Sequence, residues 1–369
     1  MDPRVLEAMV PFYTTDFGNP SSSHPFGWRA KEAVEAARAS VGRLVGASAR
    51  EIVFTSGATE ANNLAIRGLA ARHAQGHIIT VATEHPAILD VCASVGGEGI
   101  EITRLPVDAH GQVDPEQIRQ NLRDDTFLVS VMAANNEVGT IHRLQEIGAV
   151  VARHPALWHC DAAQAIGKIP IDVDALGIDL LSMSAHKLYG PKGQGALFVR
   201  RRRPAIRLRP MQEGGGQERG LRSGTLNVPG IVGLGVACEL AESEMTEEIQ
   251  RLLALRERLV QQLQESLSSV RVNGHPDQHL PGCLSVCFSG TDGRDLMLRL
   301  QNSIALSAGA ACSAGHDGPS HVLRAMGHSD EDAASTLRFG LGRTTTQEQI
   351  DTAADCVVKA CRQGAPLAS

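Results

Sequence analysis

A lysine that does covalent chemistry must be partly withdrawn from water, and Lys187 is placed for that. It closes Ser182-Met183-Ser184-Ala185-His186-Lys187, directly after the apolar run that starts at Ile178. Partial burial lowers a lysine's pKa and frees its amine as a nucleophile. An exposed loop lysine is the commoner fate of the residue, but Ser184 and His186 can both bind an anion. A second group is Asp161 in Asp161-Ala162-Ala163-Gln164, after the run ending at Cys160. It reads as a ligand-facing acid or as a helix N-cap. A third is Thr55-Ser56-Gly57-Ala58-Thr59-Glu60, where a small-residue turn opens a helix. Backbone N–H groups there would cradle a phosphate, or a hydroxyl would simply cap the helix. Together, a phosphate cradle, an acid and an amine are what pyridoxal phosphate requires: Schiff base, pyridinium partner and phosphate anchor.

A fourth feature is the thiol in Ser307-Ala308-Gly309-Ala310-Ala311-Cys312-Ser313-Ala314-Gly315. Free cysteine is usually a small buried hydrophobe. Here its neighbours are too small to pack it, so an exposed, reactive thiol is expected. The other cysteines, Cys92, Cys160, Cys238, Cys283, Cys287, Cys356 and Cys361, form no C-x-x-C pair and no zinc-site spacing. No metal is expected, and reduced thiols fit best.

Elements to position these groups alternate along the chain. Helices are expected over Gly27–Val45, Ala58–Ala74, Pro86–Ser94 and Leu144–Arg153, and strands over Glu51–Thr55, His77–Val81, Phe127–Met132, Ala156–Cys160, Ile178–Met183 and Ala196–Val199. Strands spaced by helices imply an α/β fold, with a mostly parallel sheet covered by helices and ligands at the carboxyl ends of its strands. Long helical sequence from Val228 leads to a smaller α+β domain, with strands Leu284–Phe288 and Thr336–Gly340 and helices Arg294–Gln301, Ser320–Met326 and Gln347–Arg362.

The chain has 369 residues, 43% hydrophobic and 21% charged, and a formal net charge of −6. Two globular domains are expected. An acidic balance argues against nucleic-acid binding. Arg200-Arg201-Arg202-Arg203 reads as a solvated turn, or else as a docking patch for an acidic partner. Neither a spanning segment nor a signal peptide is expected, so the reading is cytoplasmic.

The chain resembles the group I cysteine desulfurases, in the class V aminotransferase family of fold-type I pyridoxal-phosphate enzymes. The resemblance rests on Phe17-Gly18-Asn19-Pro20-Ser21-Ser22, the Phe54–Glu60 motif, Thr83-Glu84-His85-Pro86-Ala87, Asn135-Asn136-Glu137-Val138-Gly139-Thr140, Asp161–Gln164, Ser184–Lys187 and Arg222-Ser223-Gly224-Thr225. It implies that Lys187 links to the cofactor aldehyde, Asp161 pairs with the pyridinium nitrogen and Gln164 reaches the ring hydroxyl. His85 would stack on the ring and shuttle protons. Ala58, Thr59, Ser184 and His186 would hold the phosphate, with Thr225 reaching the phosphate site of a second subunit in a homodimer. Asn136 and Arg338 would hold L-cysteine, Arg338 forking onto its carboxylate. Cys312 would take the sulfur as a persulfide and pass it to an acceptor protein, an iron–sulfur scaffold or a thiolation enzyme.

The resemblance also implies boundaries: residues 1–14 packing on the small domain, 15–245 as the cofactor domain and 246–369 as the small domain carrying Cys312. Members usually begin with a strand and turn ahead of the Asp2-Pro3-Arg4 segment, whereas this chain starts at Met1. The Gly-Ala-Ala-Cys form of the thiol loop also occurs in selenocysteine lyases. That activity, another amino-acid lyase or aminotransferase, and an inactive assembly subunit of the same fold stay open as alternatives.

Overall fold

The computed structural model describes residues 1–308 and 318–364, which fall into two compact units. The larger comprises 1–105, 115–133 and 143–245. Its seven strands are β1 (Ile52–Thr55), β2 (Gly76–Val81), β3 (Ile100–Leu105), β4 (Thr126–Ser130), β5 (Leu157–Asp161), β6 (Leu180–Ser184) and β7 (Gly195–Val199). They lie in the order β1-β7-β6-β5-β4-β2-β3. Strands β2 to β6 pair in parallel, while β7 runs antiparallel between β6 and β1. The ten residues from 185 to 194 are too few for a parallel crossover, so β7 must return antiparallel. The carboxyl ends of β1, β2, β4, β5 and β6 therefore share one edge.

Strands β1, β2, β4 and β6 are buried along their whole length, as a sheet covered on both faces requires. Val53, Ile78, Leu128, Leu180 and Leu197 pack with Leu64 and Ile66 of helix Ala58–Ala70 and with Ile88 and Val95 of helix Pro86–Gly96. Strand β3 escaped the sequence reading because it is an edge. Only its ends, Ile100 and Leu105, are buried, and it carries exposed Glu101 and Arg104, as edge strands do.

The smaller unit holds 106–114, 134–142 and 246–369. Its sheet is antiparallel, in the order β10 (Ser307–Ala308), β11 (Thr336–Gly340), β9 (Cys283–Phe288), β8 (Val270–Asn273). Leu284, Val286, Leu337 and Phe339 pack with Leu259 and Leu263 of helix Val228–Ser266, Leu296 of helix Gly293–Leu300, and Val357 of helix Gln347–Gly364.

Two boundary expectations need correction. Residues 1–14 belong to the larger unit, where the Asp2 N–H donates to the Tyr189 carbonyl at 2.9 Å and Val5 and Met9 are buried. The excursions 106–114 and 134–142 belong to the smaller unit. Leu280 N–H donates to the Gly139 carbonyl, and Ile141 N–H to that of Gln278. In the arginine run Arg200 is half-buried and bonds the Ile178 carbonyl at 2.8 Å, while Arg201, Arg202 and Arg203 are exposed, Arg202 pairing with Asp179 at 3.0 Å.

Candidate active site

In the larger unit the register sets Asp161 beside Ser182, and Ser184 beside Gly195, which in turn faces Thr55. The ends of β5, β6 and β1 are thus neighbours. Gly195 has to be glycine, because a Cβ there would lie 2.5 Å from the Met183 carbonyl and 2.6 Å from the Gly57 Cα.

After β1, helix Ala58–Ala70 starts without a side-chain cap. Its first N–H groups, at Ala58 and Thr59, remain available to an anion. A Cβ on Gly57 would stand 3.6 Å from the Ser184 hydroxyl, so the missing side chain leaves room there. Ser184 Oγ lies 2.9 Å from His186 Nδ1. The His186 pKa is lowered, first by partial desolvation and then by the charges of Lys187, Lys192 and Lys168. Three ammonium groups acting on one imidazole make a field that suits a phosphate. Glu60 would oppose it, but its carboxylate accepts the Ser56 N–H at 2.8 Å and pairs with Arg222 at 3.0 Å. Burial would raise its pKa, yet those bonds bring it below the usual value.

Lys187 is half-buried in the turn Ala185–Leu188 that follows β6. Asp161 is 6% exposed. Its Oδ1 accepts the Ala163 N–H at 2.9 Å and its Oδ2 the buried Asn62 amide at 2.7 Å. The Asn62 carbonyl oxygen has no partner among the described residues. His85 caps helix Pro86–Gly96, its Nδ1 accepting the Ala87 N–H at 3.1 Å. A neutral ring so bonded carries its proton on Nε2. Gln164 is half-buried and accepts from Lys168 at 3.2 Å; Thr225 is exposed. An anion cradle, a carboxylate held in orientation and a half-buried amine are the donor set that pyridoxal phosphate requires, so these residues fit it.

Sequence reasoning missed Glu84 as a participant, although its motif was singled out. It is fully buried, and its Oε1 accepts the Met132 N–H at 2.5 Å. Burial, then the charge of Asp161, pushes its carboxyl well above the usual range. Both effects favour its protonated form. Asn62 was missed too, and no local signal marks one buried amide on a helix.

Asn136 and Arg338 lie in the smaller unit and meet there: Arg338 Nη1 donates to the Asn136 carbonyl at 2.7 Å. Its Nη2 reaches Ser307 Oγ at 3.5 Å. Cys312 lies outside the described residues. The other seven cysteines form no disulfide among the described residues, and five of them are buried; burial pushes the Cys92 thiol up to about 12.

Residues 1–352 match the aminotransferase class-V family. A protein of Anaeromyxobacter sp. (strain K) named cysteine desulfurase IscS is 52% identical over 356 residues, covering 96% of this chain and 88% of its own length. The Mus musculus protein named cysteine desulfurase is 48% identical over 373 residues, covering 100% of this chain and 81% of its own. Among solved structures, a NifS-like protein matches with a TM-score of 0.91 at 38% identity, over 98% of this chain and 96% of that one. SspA in complex with cysteine matches with a TM-score of 0.81 at 38% identity, over 92% and 95%.

Proposed function

We propose, for a chain that belongs to the aminotransferase class-V family and is a cysteine desulfurase within it, that pyridoxal phosphate is carried on Lys187 and that Cys312 receives the sulfur. The observation that carries this reading is the shared edge of the seven-stranded sheet, with Asp161 ending β5 and Ser184-Ala185-His186-Lys187 leaving its neighbour β6. Once bound, the cofactor supplies a sink for the electrons left when Cα loses its proton.

The protein's own groups do the rest. The N-terminus of helix Ala58–Ala70, with Thr59, Ser184 and His186, holds the phosphate. Asp161, oriented by Asn62 and the Ala163 N–H, holds the pyridine nitrogen in its protonated form. Gln164 reaches the ring hydroxyl, and His85 covers the ring. Lys187 would hold the cofactor and, with the substrate in place, its amine would serve as the base for the Cα proton. Arg338 and Asn136 take the carboxylate of L-cysteine. Cys312 attacks as the thiolate. The substrate's carbon–sulfur bond breaks, a sulfur–sulfur bond forms on Cys312, and a proton replaces sulfur on the substrate carbon. Cysteine and a thiol become alanine and a persulfide, with no outside oxidant.

A homodimer is part of the reading. Tyr13, Phe17, Phe26 and Trp28 are 62%, 68%, 43% and 60% exposed, in a chain with only eight Phe, two Trp and two Tyr. So dense an apolar surface is one a second copy would cover, and Thr225 would then reach across. The persulfide passes to an acceptor protein, an iron–sulfur scaffold or a thiolation enzyme, in a reducing cytoplasm that suits the free thiols. No helix among the described residues is long and apolar enough to cross a membrane.

The test is product analysis with cysteine and a reductant, with alanine and sulfide expected in equal amounts. Cys312→Ser should abolish sulfide release while the cofactor's absorbance is unchanged. Full activity in that variant removes the assignment, and activity confined to selenocysteine points to the lyase.

A further inference from the structure

Glu137 follows Asn136 in the turn 134–142 and is buried. Its Oε2 accepts the Ser320 hydroxyl at 2.5 Å. Ser320 also accepts the Leu323 N–H at 3.2 Å and so caps helix His321–Ala325. Burial raises the Glu137 carboxyl's pKa overall, and the Ser320 hydrogen bond and then the charges of His321 and Arg338 act against that rise. Its backbone is held as well: its N–H donates to Asn135 Oδ1 at 2.8 Å, and its carbonyl accepts from the Cys283 thiol at 3.8 Å. Next to it, Val138 packs on Val322, Leu323 and Met326.

One short turn is therefore bonded to two different structures. Through the Asn136 carbonyl it holds Arg338, which faces Ser307 in the β10–β11 pair. Through the Glu137 side chain it holds the start of helix His321–Ala325. A purely structural peg at this position would be apolar, because burying a carboxylate is costly without charged or hydrogen-bonding partners. Glu137 has both kinds, and one of its partners in charge is the arginine assigned to the substrate.

We propose that Glu137 is a positioning residue for the desulfurase reaction, locking the Arg338 guanidinium and the cap of helix His321–Ala325 into one arrangement so that the substrate's carboxylate is taken in a single pose. The inference rests on the reading of Arg338 as the carboxylate-binding group. Gln at 137 keeps an acceptor for Ser320, whereas Ala removes both the acceptor and the charge.

The experiment is a double-mutant cycle on the cofactor-loaded enzyme, with hydrogen exchange on cofactor-free protein. Glu137→Ala is expected to raise KM for cysteine about tenfold, the size of one charged hydrogen bond, with kcat changed less. Glu137→Gln should restore most of the loss, and Ser320→Ala should shift KM the same way by about threefold. Combined with Arg338→Ala, the effect of Glu137→Ala should largely disappear, since both act through one group. Without cofactor, amides of residues 321–325 should exchange faster in Glu137→Ala. An Arg338→Ala enzyme with unchanged KM overturns the arginine's role, and this inference with it. A raised KM in Arg338→Ala beside an unchanged KM in Glu137→Ala, or fully additive effects, overturns the inference alone. Unchanged exchange in 321–325 overturns the helix-capping half.

Discussion

At the carboxyl edge of the seven-stranded sheet, Asp161, Ser184 and the Thr55–Ala58 turn each stand at the end of a separate strand. In the smaller unit, Asn136, Glu137 and Arg338 are held by bonds between a turn, a helix cap and an antiparallel strand. The first set inherits its positions from backbone register, which a single side-chain change does not move. The second depends on a few particular side chains, each carrying a large share of the geometry. On the proposed reading, chemistry that must be rigid falls to the sheet edge, and substrate affinity to the cross-linked turn.

The sharpest break is Lys187→Ala, which removes the amine proposed to react and leaves the sheet intact. Alanine formation should fall by about 10⁴-fold or more, with the unfolding temperature of cofactor-free protein little changed. A drop confined to stability would mean that the lysine is structural.

The next largest effect tests the sheet edge as a scaffold. Arg38 pairs with Glu218 at 2.7 Å in the interior, and Glu218 also accepts the Phe54 N–H of β1 at 2.8 Å. Arg38→Ala leaves that carboxylate without its cation and should destabilise the protein by about 3–5 kcal/mol, read by chemical denaturation. Much weaker destabilisation would show that β1 does not depend on this pair.

Arg338→Lys probes the other region. It keeps the charge but loses the fork, so KM for cysteine should rise about ten- to hundredfold, with kcat changed less. An equal fall in kcat would move Arg338 from binding toward the chemical step.

The smallest effect is one of pH. His159 on β5 lies between Ser130 Oγ of β4 at 2.9 Å and Ser182 Oγ of β6 at 3.0 Å. Burial lowers its pKa from 6.5 to about 3. Between those values the unfolded chain binds a proton that the folded chain refuses, so this contribution is complete above pH 6.5 and shrinks as pH falls toward 3. About 2 kcal/mol should be lost between pH 6.5 and 5, and His159→Gln should flatten that slope. A wild-type slope in the variant would assign the acid sensitivity to other groups.

Much of this was legible in the chain itself. The apolar runs before Asp161 and Lys187 and the small-residue turn at 55–60 are local patterns. Strand ends, helix starts and reactive residue types obey short-range rules, so the fold class and nearly every residue of the sheet edge follow from them. What the chain could not state is pairing at a distance. Nothing near residue 62 says that its amide will reach Asp161, nothing near 84 says that this acid will be buried with its pKa pushed up, and Arg38 and Glu218 are 180 residues apart. The excursions 106–114 and 134–142 were read as part of the larger domain, because their partners near 275–280 are equally remote. Burial and long-range hydrogen bonds exist only once the backbone is assembled, and they decide which of the polar groups written in the sequence become neutral, charged or fixed in place.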